Sequence, residues 1–95
     1  MKIQNIFQCL RCNSTIKLPT LTLIQKDEIK TMMKTAGKLS TITYLSKITG
    51  LDIGDSKAVI MHLNNYGHCV RCENKNLIAE NVVCPKCKSF NLNWQ

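Results

Sequence analysis

Residues 68–88 read His68-Cys69-Val70-Arg71-Cys72-Glu73-Asn74-Lys75-Asn76-Leu77-Ile78-Ala79-Glu80-Asn81-Val82-Val83-Cys84-Pro85-Lys86-Cys87-Lys88. Two Cys-x-x-Cys turns stand 11 residues apart. In such a turn both sulfurs point toward one centre, and turn N–H groups can bond to them. Eleven residues suffice for a short hairpin that brings the two turns together. Cys69, Cys72, Cys84 and Cys87 then offer the tetrahedral thiolate set that a structural Zn²⁺ takes. Arg71 and Lys86 lie inside the turns, where their charge can offset a dianionic centre. A catalytic zinc keeps one position open, and four cysteines leave none.

This stretch resembles the zinc ribbons of transcription, translation and nucleic-acid-handling proteins, over residues 68–95. The resemblance is specific for metal binding only. The pattern predicts strands at Leu77–Ala79 and Val82–Val83, turning near Glu80-Asn81. Phe90, Leu92 and Trp94 alternate with Asn91 and Asn93, as in a half-buried strand. Packing against the ribbon accounts for Phe90 and Trp94 better than stacking on bases does.

The turn recurs upstream. Cys9-Leu-Arg-Cys12-Asn, Cys69-Val-Arg-Cys72-Glu and Cys84-Pro-Lys-Cys87-Lys share the form Cys-x-basic-Cys-polar, with an apolar stretch soon after each. All six cysteines fall in these three pairs, a spacing that suits metal knuckles better than a disulfide framework. Six does not divide into fours, so Cys9 and Cys12 admit several readings. They can join His62 and His68 in a second site, with His68 and Cys69 serving different sites. Two chains can share a zinc through their Cys9/Cys12 pairs, giving a homodimer. The pair can replace another pair in the ribbon site, or remain reduced and metal-free. A thioredoxin-like redox role lacks the βαβ pattern that would surround it.

The chain has 95 residues, with 13 basic and 6 acidic side chains and a formal net charge of +7. A domain this small has a thin margin of stability without a staple. Aromatics make up only 5% of it, so metal is expected to supply part of the hold. The N-terminus shows no apolar run or cleavage site of a signal peptide, and no stretch approaches a membrane span. The expected compartment is reducing and cytoplasmic, and no membrane partner is expected. The basic balance favours acidic partners such as nucleic acid, although it also serves solubility.

Between the cysteine pairs the pattern turns helical. Ile29, Met32, Met33 and Ala36 follow i, i+3, i+4, i+7, and Gly37 ends that helix. Leu39, Ile42, Leu45 and Ile48 recur every three residues up to Gly50. Asp52 or Asp55 caps a third helix, whose face is Ser56, Val59, Ile60 and Leu63 and whose stop is Gly67. The expected fold is therefore α+β: a helical hairpin of three short helices flanked by zinc-knuckle β-hairpin elements. Its segments are residues 1–24, an N-terminal knuckle and strand; 25–67, helical; and 68–95, the ribbon, forming one compact unit.

Lys38, Ile42, Leu45, Ile48, Thr49-Gly50-Leu51, Ile53, Ser56-Lys57 and Val59 resemble the helical hairpin in the C-terminal domain of the bacterial ribosomal stalk protein. Thr43 replaces a basic residue of that family, and Ser56 an alanine. In that family the hairpin recruits translation GTPases through basic positions. The resemblance implies partner-binding roles for Lys38, Lys47 and Lys57. The knuckle residues Arg11, Arg71, Lys86 and Lys88 add basic positions of their own.

No phosphate loop, carboxylate pair or nucleophile–base arrangement appears. The expected function is a non-enzymatic zinc-binding adaptor associated with nucleic acid or a ribonucleoprotein. The alternative is a protein-interaction module or small regulator docking on a larger machine. Salt dependence separates them, since phosphate contacts weaken steeply with salt and an apolar interface does not.

Overall fold

The computed structural model describes residues 3–64, 68–72, 74, 75, 77, 79 and 81–94. Its elements run β1 (Ile3–Gln8), β2 (Thr15–Pro19), α1 (Leu23–Thr35), α2 (Gly37–Thr49), α3 (Ile53–Met61), β3 (Asn81–Val83) and β4 (Phe90–Leu92). β1 pairs antiparallel with β2, and β3 pairs antiparallel with β4. Each hairpin carries a Cys-x-x-Cys turn at its tip, so Cys9 follows β1 and Cys84 follows β3. The class is α+β.

Local chemistry sets the helix limits. Thr22 forms a capping box: its Oγ1 accepts from the Gln25 N–H at 3.1 Å, and Gln25 Oε1 accepts from the Thr22 N–H at 2.9 Å. The first helix therefore starts at Leu23, ahead of the expected segment. Gly50 ends α2 at φ 76°, a left-handed conformation that glycine adopts at no steric cost. Asp52 caps α3, its Oδ1 accepting from the Asp55 N–H at 2.7 Å. Asp55 instead pairs with Lys17 of β2 at 3.2 Å.

α3 stops at Met61, before the Gly67 stop expected from sequence, a residue outside those described. The His62 carbonyl accepts from the Leu92 N–H at 2.7 Å, and the Asn64 N–H donates to the Leu92 carbonyl at 2.8 Å. Leu63 thereby forms an isolated parallel bridge to Leu92. Pairing to β4 takes over from the helix ladder at that point. The expected strand at Leu77–Ala79 and the turn at Glu80-Asn81 lie partly outside the described residues. Val82 and Val83 belong to β3, whose partner is Phe90–Leu92.

One core joins the hairpins to the helices. Ile16 and Leu18 of β2, Ile29 of α1, Ile42 and Leu45 of α2, Val59 and Ile60 of α3, and Phe90, Leu92 and Trp94 pack in one cluster. Phe7 stacks on Phe90 with ring centroids 4.7 Å apart, which brings the two hairpins together. Two sequence expectations are corrected. Leu39 is 79% exposed, although it shares a three-residue spacing with Ile42, Leu45 and Ile48. A step of three residues turns back by about 60° on a helix of 3.6 residues per turn, so the first member of that series leaves the buried face. Asn91 in β4 and Asn93 just after it, expected on a solvent face, are buried, and all three residues of β4 are buried. No helix among the described residues is long and apolar enough to cross a membrane.

Candidate metal centres

The knuckles share one backbone pattern. The first cysteine N–H donates to the carbonyl five residues on: Cys9 to Ser14 at 2.9 Å, Cys69 to Asn74 at 2.8 Å and Cys84 to Ser89 at 2.8 Å. The Asn13 and Lys88 N–H groups close the first and third turns by donating to the carbonyls of Cys9 and Cys84, at 2.8 and 2.9 Å. Asn13 and Lys88 have φ of 62° and 66°, the left-handed conformation that closes each turn. The polar residue after the first and third cysteine pairs is thus a turn residue.

Two groups of side chains could hold a metal ion. In each, the candidate ligand atoms lie within 4.8 Å of one another. The first is Cys69, Cys72, Cys84 and Cys87, with all six cysteines of the chain free thiols. Cys69 Sγ lies 3.5 Å from Cys87 Sγ, and Cys72 Sγ 3.6 Å from Cys84 Sγ. Each of these pairs crosses from one knuckle to the other. Within each, one sulfur is driven toward thiolate and the other toward thiol. Burial opposes ionisation of Cys84, but the Cys87 and Lys86 N–H groups and the Asn74 and Cys72 side chains hold it down to about 6. Burial, then the Cys69, Cys72 and Cys84 sulfurs, push Cys87 up to about 12 against the Ser89 N–H. Burial likewise opposes ionisation of Cys69, yet the Arg71 and Cys72 N–H groups and the Asn91 and Cys87 side chains lower its pKa. The Asn74 N–H favours the Cys72 thiolate, but burial and the Cys84 and Cys69 sulfurs outweigh it and raise that thiol. Four sulfurs competing for protons in one pocket are a fit for a cation.

Two asparagines that the sequence did not single out hold this group in place. Asn91, fully buried in β4, donates through Nδ2 to Cys69 Sγ at 3.6 Å and to the Ser89 carbonyl at 3.1 Å. Its Oδ1 accepts from the Val70 N–H at 3.0 Å and from Asn64 Nδ2 at 3.3 Å. Asn74 Nδ2 donates to Cys84 Sγ at 3.6 Å. An asparagine one step out of a strand alternation carries no sequence signal of this role. Only the approach of the two knuckles creates it.

The second group is Cys9, Cys12 and His62. Cys9 is fully buried, and the Phe90 N–H donates to its sulfur at 3.4 Å. Burial opposes the Cys9 thiolate, but the N–H groups of Phe90, Cys12 and Arg11 and the Cys12 side chain hold its pKa down to about 6. Cys12 Sγ lies 3.3 Å from His62 Nε2 and 3.2 Å from Ser14 Oγ. His62 Nδ1 lies 2.7 Å from the Ala58 carbonyl, one turn back on α3. A proton on Nδ1 donated to that carbonyl leaves the Nε2 lone pair facing the cysteines, the arrangement that orients metal-binding imidazoles.

The structure thus brings His62 to Cys9 and Cys12, and keeps that pair out of the four-cysteine group. His68 is exposed and outside both groups. Arg11, Lys38, Lys47, Lys57, Arg71, Lys86 and Lys88 are all exposed. Lys38, His68 and Arg71 line one hollow, and Lys57 and Arg71 line a second beside Cys12 and His62. Lys47, Arg11, Lys86 and Lys88 line neither of these two hollows. No protein-family model matches the chain, and no curated protein or solved structure matches it.

Proposed function

We propose that this chain is a non-enzymatic zinc-binding adaptor whose basic face docks on nucleic acid or a ribonucleoprotein. Zinc is the metal that the donor set favours. Soft thiolates with one imidazole select zinc over hard oxygen-seeking cations. Zn–S bonds of about 2.3 Å give tetrahedral sulfur–sulfur edges of about 3.8 Å, close to the 3.5 and 3.6 Å separations across the first group. A reducing compartment such as the cytoplasm keeps six thiols available for this task.

The observation that carries the docking reading is the position of Arg71. It joins the hollow of Lys38 and His68 to that of Lys57, so residues far apart in sequence share one basic surface. The resemblance to the stalk hairpin points to Lys38 and Lys57 as well, together with Lys47. A fluorescently labelled single-stranded RNA titrated with the zinc-loaded chain tests this reading. Three phosphate contacts give a log–log salt slope of about −2. Substituting Arg71→Ala lowers the affinity and flattens the slope by one contact. Absent binding, or binding indifferent to salt, overturns the nucleic-acid reading. The exposed Leu39, at 79%, and Leu23, at 78%, favour a protein partner in that event.

A further inference from the structure

We propose that the Cys9–Cys12–His62 group holds a metal ion whose fourth coordination position is exchangeable and takes an anionic ligand at the mouth lined by Lys57 and Arg71. The inference rests on this group binding metal and is independent of nucleic-acid docking.

A tetrahedral ion needs four donors, and three converge here among the described residues. The nearest further polar side chain, Ser14, has its hydroxyl 3.2 Å from Cys12 Sγ. In this structure the Ser14 hydroxyl accepts from the Cys12 thiol. A neutral hydroxyl is a weak zinc ligand, so Ser14 does not complete the shell. Ser89 Oγ lies 3.9 Å from Cys9 Sγ on the buried side, and its hydroxyl donates to the Phe90 carbonyl at 3.4 Å.

The two sides of the group differ. Cys9 faces the core, against Phe90. Cys12 is exposed and, with His62, lines an open hollow of about 340 Å³ whose wall includes Ser14, Gly54, Lys57 and Arg71. Among the described residues, that hollow is the open side from which a fourth ligand can enter. Among the described residues neither Lys57 nor Arg71 is in an ion pair.

Charge chooses the ligand. Two thiolates and a neutral imidazole bring a divalent ion to neutrality, whereas four thiolates leave it doubly negative. A neutral centre with two cations at its mouth would attract an anion. The ligand class is a small anionic donor, either free in solution or as a carboxylate on a docked partner.

The test uses the full chain loaded with Co²⁺, which reports its ligands through visible absorption, and azide and acetate as probes. The expected result is two metals per chain by native mass spectrometry and a saturable change in the cobalt bands with azide. The Lys57→Ala/Arg71→Ala double variant should raise the half-saturating azide concentration at least about threefold, the loss of two nearby charges in a watery setting. His68→Ala should leave the spectrum and the azide response unchanged. An acetate response marks carboxylates as effective ligands, while a response to azide alone restricts the position to free small anions; either supports an exchangeable position. One metal per chain, a spectrum indifferent to azide, or an azide response lost in His68→Ala would overturn the proposal.

Discussion

The Cys9–Cys12–His62 group and the four-cysteine group start from the same turn and end with different characters. Both place a Cys-x-x-Cys knuckle at the tip of a two-stranded hairpin, and both knuckles close through the same backbone hydrogen bonds. What completes each set differs. The four-cysteine group is finished by a second knuckle and supported by asparagine amides. The other is finished by an imidazole at the end of α3. With a divalent metal bound, the first set would be all thiolate and anionic. The second would be neutral and faces a hollow lined by Lys57 and Arg71. One local motif therefore enters a four-sulfur cluster or a three-residue group beside an open hollow, according to the element that packs against it.

The largest effect that sharpens this contrast comes from Cys84→Ser. Structural zinc of this kind contributes about 10–16 kcal/mol of apparent binding energy that is also folding energy. Since β4 lies in the common core, loss of a metal held here should unfold more than the four-cysteine region, read as a red shift of Trp94 fluorescence and loss of a cooperative urea transition. A variant that melts like the parent would break the comparison at its base.

His62→Ala should remove one metal per chain by native mass spectrometry and leave the four-cysteine group loaded. The expected loss of stability is on the order of 3–5 kcal/mol, smaller than for Cys84→Ser, because the first staple survives. Equal losses in the two variants would erase the distinction between the groups.

Proton release gives a third contrast. The Cys72 and Cys87 thiols are raised, Cys87 to about 12, so both are protonated near neutral pH in the metal-free chain. Both must ionise to bind, and lower pH therefore weakens binding. Loading the four-cysteine group should release at least two protons per metal, and its affinity should fall about a hundredfold per pH unit. The Cys9 thiol is held down to about 6, so above that pH it contributes no proton. The affinity of the second group should fall less steeply over the same range. Calorimetry in buffers of differing ionisation enthalpy measures both slopes.

Asn91→Ala leaves the partly buried Val70 N–H and the buried Asn64 amide without their acceptor and removes a donor to Cys69. A stranded buried donor costs about 1–3 kcal/mol, so urea denaturation should show a loss near 2 kcal/mol, with both metals retained. Lys17→Ala should have the smallest effect. The partly exposed pair with Asp55 ties β2 to the helix that carries His62. Its loss should cost about 0.5 kcal/mol or less, and the metal count should not change.

The reach of the sequence can be judged at particular residues. Cys69, Cys72, Cys84 and Cys87 were legible as one ligand set, because two knuckles a hairpin apart in sequence are neighbours in space by chain length alone. Gly50 and Asp52 were legible as helix punctuation, because a left-handed stop and a side-chain cap are local. The Thr22–Gln25 capping box was equally local, and its pattern stands in the sequence one turn before the expected helix start. Leu39 misled because a spacing of three follows a helix only for a step or two.

The sequence by itself thus determined the knuckles, the helices and their main stops, since each depends on contacts within a few residues. The tertiary structure alone decided that His62 rather than His68 meets Cys9 and Cys12. It alone also decided that Asn91 turns inward to serve Cys69, and that Arg71 links two basic hollows. Each of these depends on where α3 ends and how β4 packs against the chain beyond it. Ligand sets and surfaces assembled from distant segments follow from that packing, and no local pattern encodes it.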